Sequence, residues 1–506
     1  MTTTPTAEAQ FSPGVASEFI ASLIPAPKAQ RVSRIAFVSV AIEIHFNWDL
    51  ARETTTKVAQ IVEDALPSEE YQLVVAPEPF QDHLQLKAFL DDAAHGGLDG
   101  IVLCHSAYTT GEVGSQLGSW LAKHQTPIFS LAMPEPMGNG VNLQANRLCS
   151  QNFVLGILNS LDVKYQWLFC NEDQPRVAEE VQRFARVSRA LGNIRGRKAL
   201  IAGASRVPGF YDCEINEIAI MKKLELGFDR VNLVDITSRM ADFSEHDVAE
   251  VAGLVLNDPD CKFNNVPDKQ VHDTIRLSLA LMTVAREGEY IGVSFKNWPE
   301  LFDHFNVAGD GAMALMNDQG IVVSDEADTG AMITMMLFNE LSSGAAIPML
   351  SDISYLSDDG ERLGVWHNGS AATRLRKQGS GFESRKHGIL ENYDSDTAWG
   401  MLFEFLVEPG PVTIAKYQAP SIDHVLAFEG DIVESDMKFR GTYGEVVTRE
   451  HTAAQLVGTI LDQGLDHHWI VGRGHFLSDL KVLNYWLGVE ELPVCNAGQH
   501  AGFGRL

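Results

Sequence analysis

The chain is 506 residues long, with 39 Lys and Arg against 67 Asp and Glu and a formal net charge of −28. At about 100–200 residues per domain the length implies roughly three domains, and 45% hydrophobic with 21% charged residues is ordinary globular usage, which excludes disorder, fibres and small stapled scaffolds. A field of that sign repels phosphate backbones and anionic lipid heads, so neither nucleic acid nor a membrane surface is expected as a partner, whereas a divalent cation is compatible with it.

The six cysteines (Cys104, Cys149, Cys170, Cys213, Cys261, Cys495) are far apart and form no CxxC pair, which argues against a disulfide framework and a structural zinc knuckle. No apolar run reaches the roughly 18 residues of a membrane span, and the first basic residue is Lys28, so a basic signal start is absent. A cytoplasmic protein is expected.

Residues 1–30, with four prolines, read as a tail ending in an amphipathic piece at Ala16–Leu23. The run IAFVSVAI after Arg34 then begins an alternation: a helical stretch Trp48–Leu66, a strand Gln72–Ala76, a helix Gln81–Ala94, a strand from Gly100, a helix over 111–124, strands from Thr126 and Lys164, and a helix over 174–191. A second unit repeats the pattern with a strand from Lys198, a helix over 214–225 and a strand at Arg230–Ile236. Beyond residue 345 the apolar runs shorten and Gly and Pro separate them, as in GVWH from Gly364, MLFEFLV from Met401, PVTIAKY from Pro411, HVLAFEGDIV from His424 and HWIVG from His468, before a closing helix Leu477–Leu487. The class is α/β, with two doubly wound α/β domains followed by a β-rich C-terminal domain. The expected boundaries are 1–30 for the tail, 31–170 and 171–345 for the α/β domains, and 346–506 for the β-rich domain.

Two segments could carry chemistry. The turn GASRVPG at Gly203–Gly209 follows a strand, but its spacing is not GxGxxG and Pro208 intrudes, so it reads as a tight structural turn rather than a phosphate cradle. After Ser324 the run DEADTGAM places Asp325, Glu326 and Asp328 at the start of a helix over 330–342, where acids commonly just complement the helix dipole. Asp352, His367 and the pair His467–His468 follow at other element ends, and carboxylates with imidazoles are what an oxygen- and nitrogen-liganded divalent site needs. Consecutive strand residues face opposite sides, so at most one of His467 and His468 aims straight at a shared metal unless the strand has ended there and the backbone bends.

At these residues the chain resembles the L-fucose/L-arabinose isomerase superfamily, whose members convert aldoses to ketoses with a manganese ion. The resemblance lies in KNWPELF from Lys296, AMALMNDQGIVVSDEADTGAMITMML from Ala312, Asp352, WHNG from Trp366, and GLDHHWIVGRGHFLSDLKVLNYWLGVE from Gly464, with GIVLCHSAYTTGEV from Gly100 similar to a histidine-containing loop of the family. Asn368 stands where cysteine is frequent. The resemblance implies an L-fucose isomerase-like fold and an aldose–ketose isomerase that works through a cis-enediolate. It implies Glu326, Asp352 and His468 as ligands of Mn²⁺, with Mg²⁺ or Co²⁺ as substitutes, and Glu326 and Asp352 as base and acid. Lys296, Trp298, Trp366 and Asn368 would line the sugar, which is L-fucose, L-arabinose or a related aldose, and His467 or His367 would hold its hydroxyls or a further metal position. Arg473 with Lys296 would suit an anionic one such as sulfoquinovose. His45, Trp48 and His105 would complete the pocket of a neighbouring subunit, implying a homo-oligomer, a hexamer or a smaller ring-derived form. A non-catalytic sugar sensor and a metal-dependent sugar lyase are the alternatives.

Overall fold

The computed structural model describes residues 14–28, 31–136, 142–264, 266–385, 387 and 400–495. Two compact units divide the chain, one spanning Ala29–Asn193 and the other Ile194–Leu506 together with the N-terminal segment.

The first unit is a five-stranded parallel sheet of β1 (Ser33–Val40), β2 (Tyr71–Val75), β3 (Gly100–His105), β4 (Ile128–Ala132) and β5 (Gln166–Phe169), in the order β2-β1-β3-β4-β5. The central strands β1, β3 and β4 are almost wholly buried, as unbroken apolar runs covered by helices on both faces must be. Asn47 caps the helix Trp48–Ala65 by accepting from Leu50 N–H, and Asp82 caps His83–Ala94 by accepting from Leu84 and Gln85. The structure adds a helix at Arg147–Ser160 that the sequence reading lacks. It starts from a left-handed Asn146 without a side-chain cap, and Leu148 stays exposed, so neither a start signal nor a clean apolar stripe marks it.

The second unit opens with β6 (Lys198–Ala202), β7 (Gly227–Val231), β8 (Cys261–Asn264), β9 (Val293–Phe295) and β10 (Val323–Ser324), of which four form a parallel sheet in the order β10-β9-β6-β7. The expected strand Arg230–Ile236 ends at Val231; Leu233–Ser238 is helical, with Leu233 and Ile236 buried at a helical spacing of three. Residues 237–295, which carry no expected element, hold the helices Glu245–Leu256 and Asp268–Glu287 as well as β8 and β9.

The remaining strands are β11 (Met349–Leu356), β12 (Arg362–His367), β13 (Phe382–Arg385), β14 (Phe405–Leu406), β15 (Gly410–Tyr417), β16 (His424–Val433), β17 (Thr442–Thr448), β18 (His468–Arg473) and β19 (Glu490–Glu491). Antiparallel pairings run β11-β18-β15-β16-β17-β12 and back to β11, closing a six-stranded barrel; β14 and β19 add to it in parallel, and β13 pairs with β8. Closure removes the free edges a sheet of this length would expose. Alternate positions Leu363 and Val365, Val412 and Ile414, Leu426 and Phe428, and Trp469 and Val471 bury in one hydrophobic core with Leu200, Ala202, Val293 and Phe295 of the parallel sheet. Barrel and parallel sheet therefore fold as a single unit. The segment read as a tail joins it: the helix Ser17–Leu23 buries Ile20, flanked by buried Val15 and Ile24, and Val15 N–H donates to Thr373 Oγ1 at 3.0 Å. Residues 1–13, 29 and 30 of that tail lie outside the described residues.

The helix Thr329–Leu341 is buried along nearly its whole length and packs against β9, β10, β15 and β18. An all-round apolar sequence, TGAMITMMLF, suits only such a central place. It fixes the turn before it against the barrel.

Candidate metal centre

Between β10 and this helix the chain makes a tight turn. Glu326 and Ala327 both adopt left-handed backbone conformations, φ 57° and 55°, which non-glycine residues reach rarely and which cluster at functional sites. Asp325 Oδ1 accepts from Glu326 N–H at 2.7 Å, and Ala327 N–H donates to Phe295 O at 2.9 Å, so the turn is held from both ends. Across from it, Asp352 on β11 pairs in register with His468 on β18 and with Trp366 on β12; directly opposed residues share a face.

This geometry gathers Glu326, His367 and His468, whose ligand atoms all lie within 4.8 Å of one another. His468 Nε2 is 3.0 Å from Glu326 Oε2 and 3.9 Å from Asp352 Oδ1. Asp352 Oδ1 is buried with no hydrogen-bond partner, as is Asp325 Oδ2, which stands 3.5 Å from His367 Nδ1. Buried carboxylate oxygens are rarely left so. The donor set of carboxylates and imidazoles, with an oxygen aimed into it unsatisfied, fits a divalent cation. Burial opposes charge on His468, yet hydrogen bonds to Asp328, Cys213 and Glu326 raise its pKa well above the usual value. Burial also pushes Asp325 well above the carboxylate range, helped by the charges of Asp310 and Glu326, and burial lowers His367.

Behind His468 lies a buried ion pair. His468 Nδ1 is 2.9 Å from Asp328 Oδ2, to which Lys416 Nζ donates at 2.6 Å, and all three side chains are within 1% of full burial. Burial would raise the Asp328 carboxyl, but Lys416 and His468 overcome it and hold it far below its usual range. Asp328 also caps the helix by accepting from Ala331 N–H at 2.7 Å. One carboxylate therefore anchors the helix and orients the imidazole.

An aromatic wall stands beside the cluster. Trp298 Nε1–H donates to Glu326 Oε1 at 3.0 Å, and the Phe210 ring meets Trp298 and His467 edge-on at 5.3 and 5.2 Å. His467 is exposed and turned to Asp212, Nδ1 to Oδ2 at 2.5 Å, which lowers the Asp212 carboxyl to about 2. Phe210, Asp212 and Cys213 arrive on the loop that leaves the Gly203 turn. Gly203 has φ 104°, and a Cβ there would meet Lys296 Cβ at 2.5 Å, so the turn is structural, as its spacing suggests. Lys296 is buried, its Nζ donating to Glu300 Oε1 at 2.6 Å and to Ser205 Oγ at 3.3 Å. Trp366 Nε1–H donates to Arg440 O at 2.5 Å, and half-buried Asn368 follows His367 in the bend after β12.

Arg473 is not brought to the cluster. It ends β18 five residues beyond His468, about 16 Å along a strand, and its guanidinium donates to the carbonyls of Glu408 and, at 3.2 Å, of Pro409. In the first unit His45 lies exposed before the helix that Trp48 begins, and Trp48 is half-buried. His105 is fully buried, with Nδ1 2.9 Å from Ser150 Oγ and Nε2 3.1 Å from Ser130 Oγ, and burial lowers it to about 3. It is a neutral core histidine within that unit.

The sequence reading names Asp328 only among the acids at a helix start and assigns no role to Lys416, Phe210, Asp212 or Cys213. Lys416 had a usable signal: a lysine inside the apolar strand PVTIAKY demands a buried partner. The loop residues had none, because only the fold carries them to the barrel.

No family model matches the chain. Curated relatives do. The chain is 24% identical over 405 residues to a sulfoquinovose isomerase of Alkalicoccus urumqiensis, covering 78% of this chain and 86% of that protein. It is 22% identical over 427 residues to the sulfoquinovose isomerases of Priestia aryabhattai and Priestia megaterium, covering 82% of this chain and 90% of each.

Proposed function

We propose that the chain is a metal-dependent aldose–ketose isomerase of L-fucose isomerase-like fold that interconverts sulfoquinovose and its ketose through an open-chain cis-enediolate. Sugar isomerisation is supported by relatives that bear an isomerase name over about four-fifths of the chain, and these do not favour the sensor or lyase readings. The observation that carries the chemistry is the convergence of buried Glu326, His367 and His468, with half-buried Asp352 3.9 Å from His468.

The reaction removes a proton from C2 and delivers one to C1. Glu326 and Asp352 are the base and acid for that transfer, flanking the reacting carbons from the turn and from β11. Mn²⁺, with Mg²⁺ or Co²⁺ as substitutes, would be held by Glu326, Asp352 and His468 and would supply an electrophile that stabilises charge developing on O1 and O2. Trp298 holds the Glu326 carboxylate by its indole N–H and with Trp366 offers a flat face to sugar C–H groups. His367, Asn368 and His467 take hydroxyls. Lys296, which bonds Glu300 and Ser205, is the cation proposed for the sulfonate, because Arg473 stands at the far end of its strand from the cluster.

The test is metal-stripped protein with added Mn²⁺ and a panel of aldoses, sulfoquinovose included. Ketose formed from sulfoquinovose, and only with the metal, is expected; fragments instead of an isomer would establish a lyase, and no product from any aldose would refute catalysis.

His45 and Trp48 are proposed to complete the pocket of a neighbouring copy, with His105 supporting their sheet from within the unit. Light scattering is then expected to report a closed homo-oligomer, a hexamer or a smaller ring-derived form, and a fully active monomer would contradict it. Among the described residues no helix is long and apolar enough to cross a membrane; a cytoplasmic place is proposed on the substrate class.

A further inference from the structure

The two edges of the His468 ring face different chemistry. Nε2 looks to Glu326 and Asp352, at 3.0 and 3.9 Å. Nδ1 looks to Cys213 Sγ at 3.8 Å and to Asp328 Oδ2 at 2.9 Å. Cys213, His467 and His468 form their own group, each offering one ligand atom within 4.8 Å of the others, and the Cys213–His468 contact puts the thiol on this second edge. The spacing is meaningful. Tetrahedral zinc with Zn–S of about 2.3 Å and Zn–N of about 2.05 Å sets sulfur and nitrogen roughly 3.6 Å apart. His467 Nδ1 is bound to Asp212, which fixes the ring and leaves Nε2 as the nitrogen for a cation, the carboxylate–histidine arrangement common at metal sites.

We propose that Cys213, His467 and His468 form a second metal site, selective for zinc-class cations, whose occupation excludes a metal from the Glu326 edge. Selectivity follows from the donors: a thiolate with two imidazoles favours Zn²⁺ and Cd²⁺, whereas the carboxylate-rich edge suits Mn²⁺. Exclusion follows from the ring. A neutral imidazole has one in-plane lone pair, so His468 binding a metal through Nδ1 carries its hydrogen on Nε2 and cannot also bind a metal there. On the isomerase reading, zinc at this site inhibits. The site itself does not depend on that reading.

The other thiols must be controlled, since Cys149 and Cys495 are exposed. The experiment therefore uses the full chain carrying C149S and C495S, loaded with Mn²⁺ and titrated with Cd²⁺ and then Zn²⁺. One equivalent of Cd²⁺ is expected to produce a cadmium–thiolate charge-transfer absorption that Zn²⁺ abolishes, with Mn²⁺ released in step. Adding C213S should remove the band, leave Mn²⁺ binding, and weaken Zn²⁺ inhibition by more than the roughly 10–100-fold that loss of an outer partner costs. H467Q, which keeps the thiol, should retain the band at weakened affinity. A band from Cys213 with no turnover of any aldose would uphold the site while removing the isomerase reading. An unchanged band in C213S, or Zn²⁺ displacing Mn²⁺ from it as readily as from the parent, would place zinc on the Glu326 edge and overturn the proposal.

Discussion

Turnover of the metal-loaded enzyme is expected to fall by roughly 10²–10⁴-fold in Glu326→Gln, the range for loss of a general acid or base, and by a similar factor in Asp352→Asn. Both changes keep the shape and remove the basic oxygen. In E326Q the amide oxygen can still accept from Trp298 Nε1–H, so the 3.0 Å bond that orients the side chain persists and the loss reports proton transfer rather than collapse of the wall. Steady-state rates should be read beside metal content, because both residues are also proposed ligands. A substrate deuterated at C2 should slow the parent enzyme if abstraction limits the rate, and solvent label should enter the product where the proton exchanges. Near-normal turnover in a metal-loaded variant would leave that residue a ligand only and move the base to His467 or His367.

The second large effect is on stability. Lys416 and Asp328 are both wholly buried, 2.6 Å apart. Removing one partner of such a pair strands a charge away from water, so Lys416→Met is expected to destabilise the fold by about 3–5 kcal/mol, measured by denaturant unfolding. Asp328 would then keep only the His468 imidazole, at 2.9 Å, as its charge partner. The double variant K416M/D328N removes both charges and should recover most of the stability. It should not recover the metal: without the carboxylate that orients His468, affinity is expected to drop roughly 10–100-fold. A single K416M variant as stable as the parent would show that the pair is not buried in solution, and a double variant with parental metal affinity would show that Asp328 does not orient the imidazole.

Local physics made the elements of this protein legible where apolar periodicity and caps agree. Strands β1, β3, β15, β16 and β18 announce themselves as apolar runs, and the helices Trp48–Ala65, Thr329–Leu341 and Leu477–Leu487 lie where the pattern puts them. Arg147–Ser160 escaped because it has neither cap nor stripe, and Arg230–Ile236 because a short apolar run suits a strand and a buried helix equally well. The acidic balance, the absence of paired cysteines and the presence of carboxylates and histidines at element ends also belong to the sequence, since they are properties of residue type and spacing alone. What only the tertiary structure decided is which of those ends meet. Closure of the barrel puts β11 between β12 and β18, and so sets Asp352 opposite His468 with His367 nearby, although 116 positions separate Asp352 from His468. The same closure carries Arg473 to the far end of its strand, away from the cluster that its neighbours in sequence form. Pairing between distant strands depends on the whole set of hydrogen-bonded registers and on the core that they bury together. No window of the chain contains that information, and so the sequence could nominate His468 as a ligand but not reveal that Asp328 and Lys416 hold one edge of its ring and Glu326 the other.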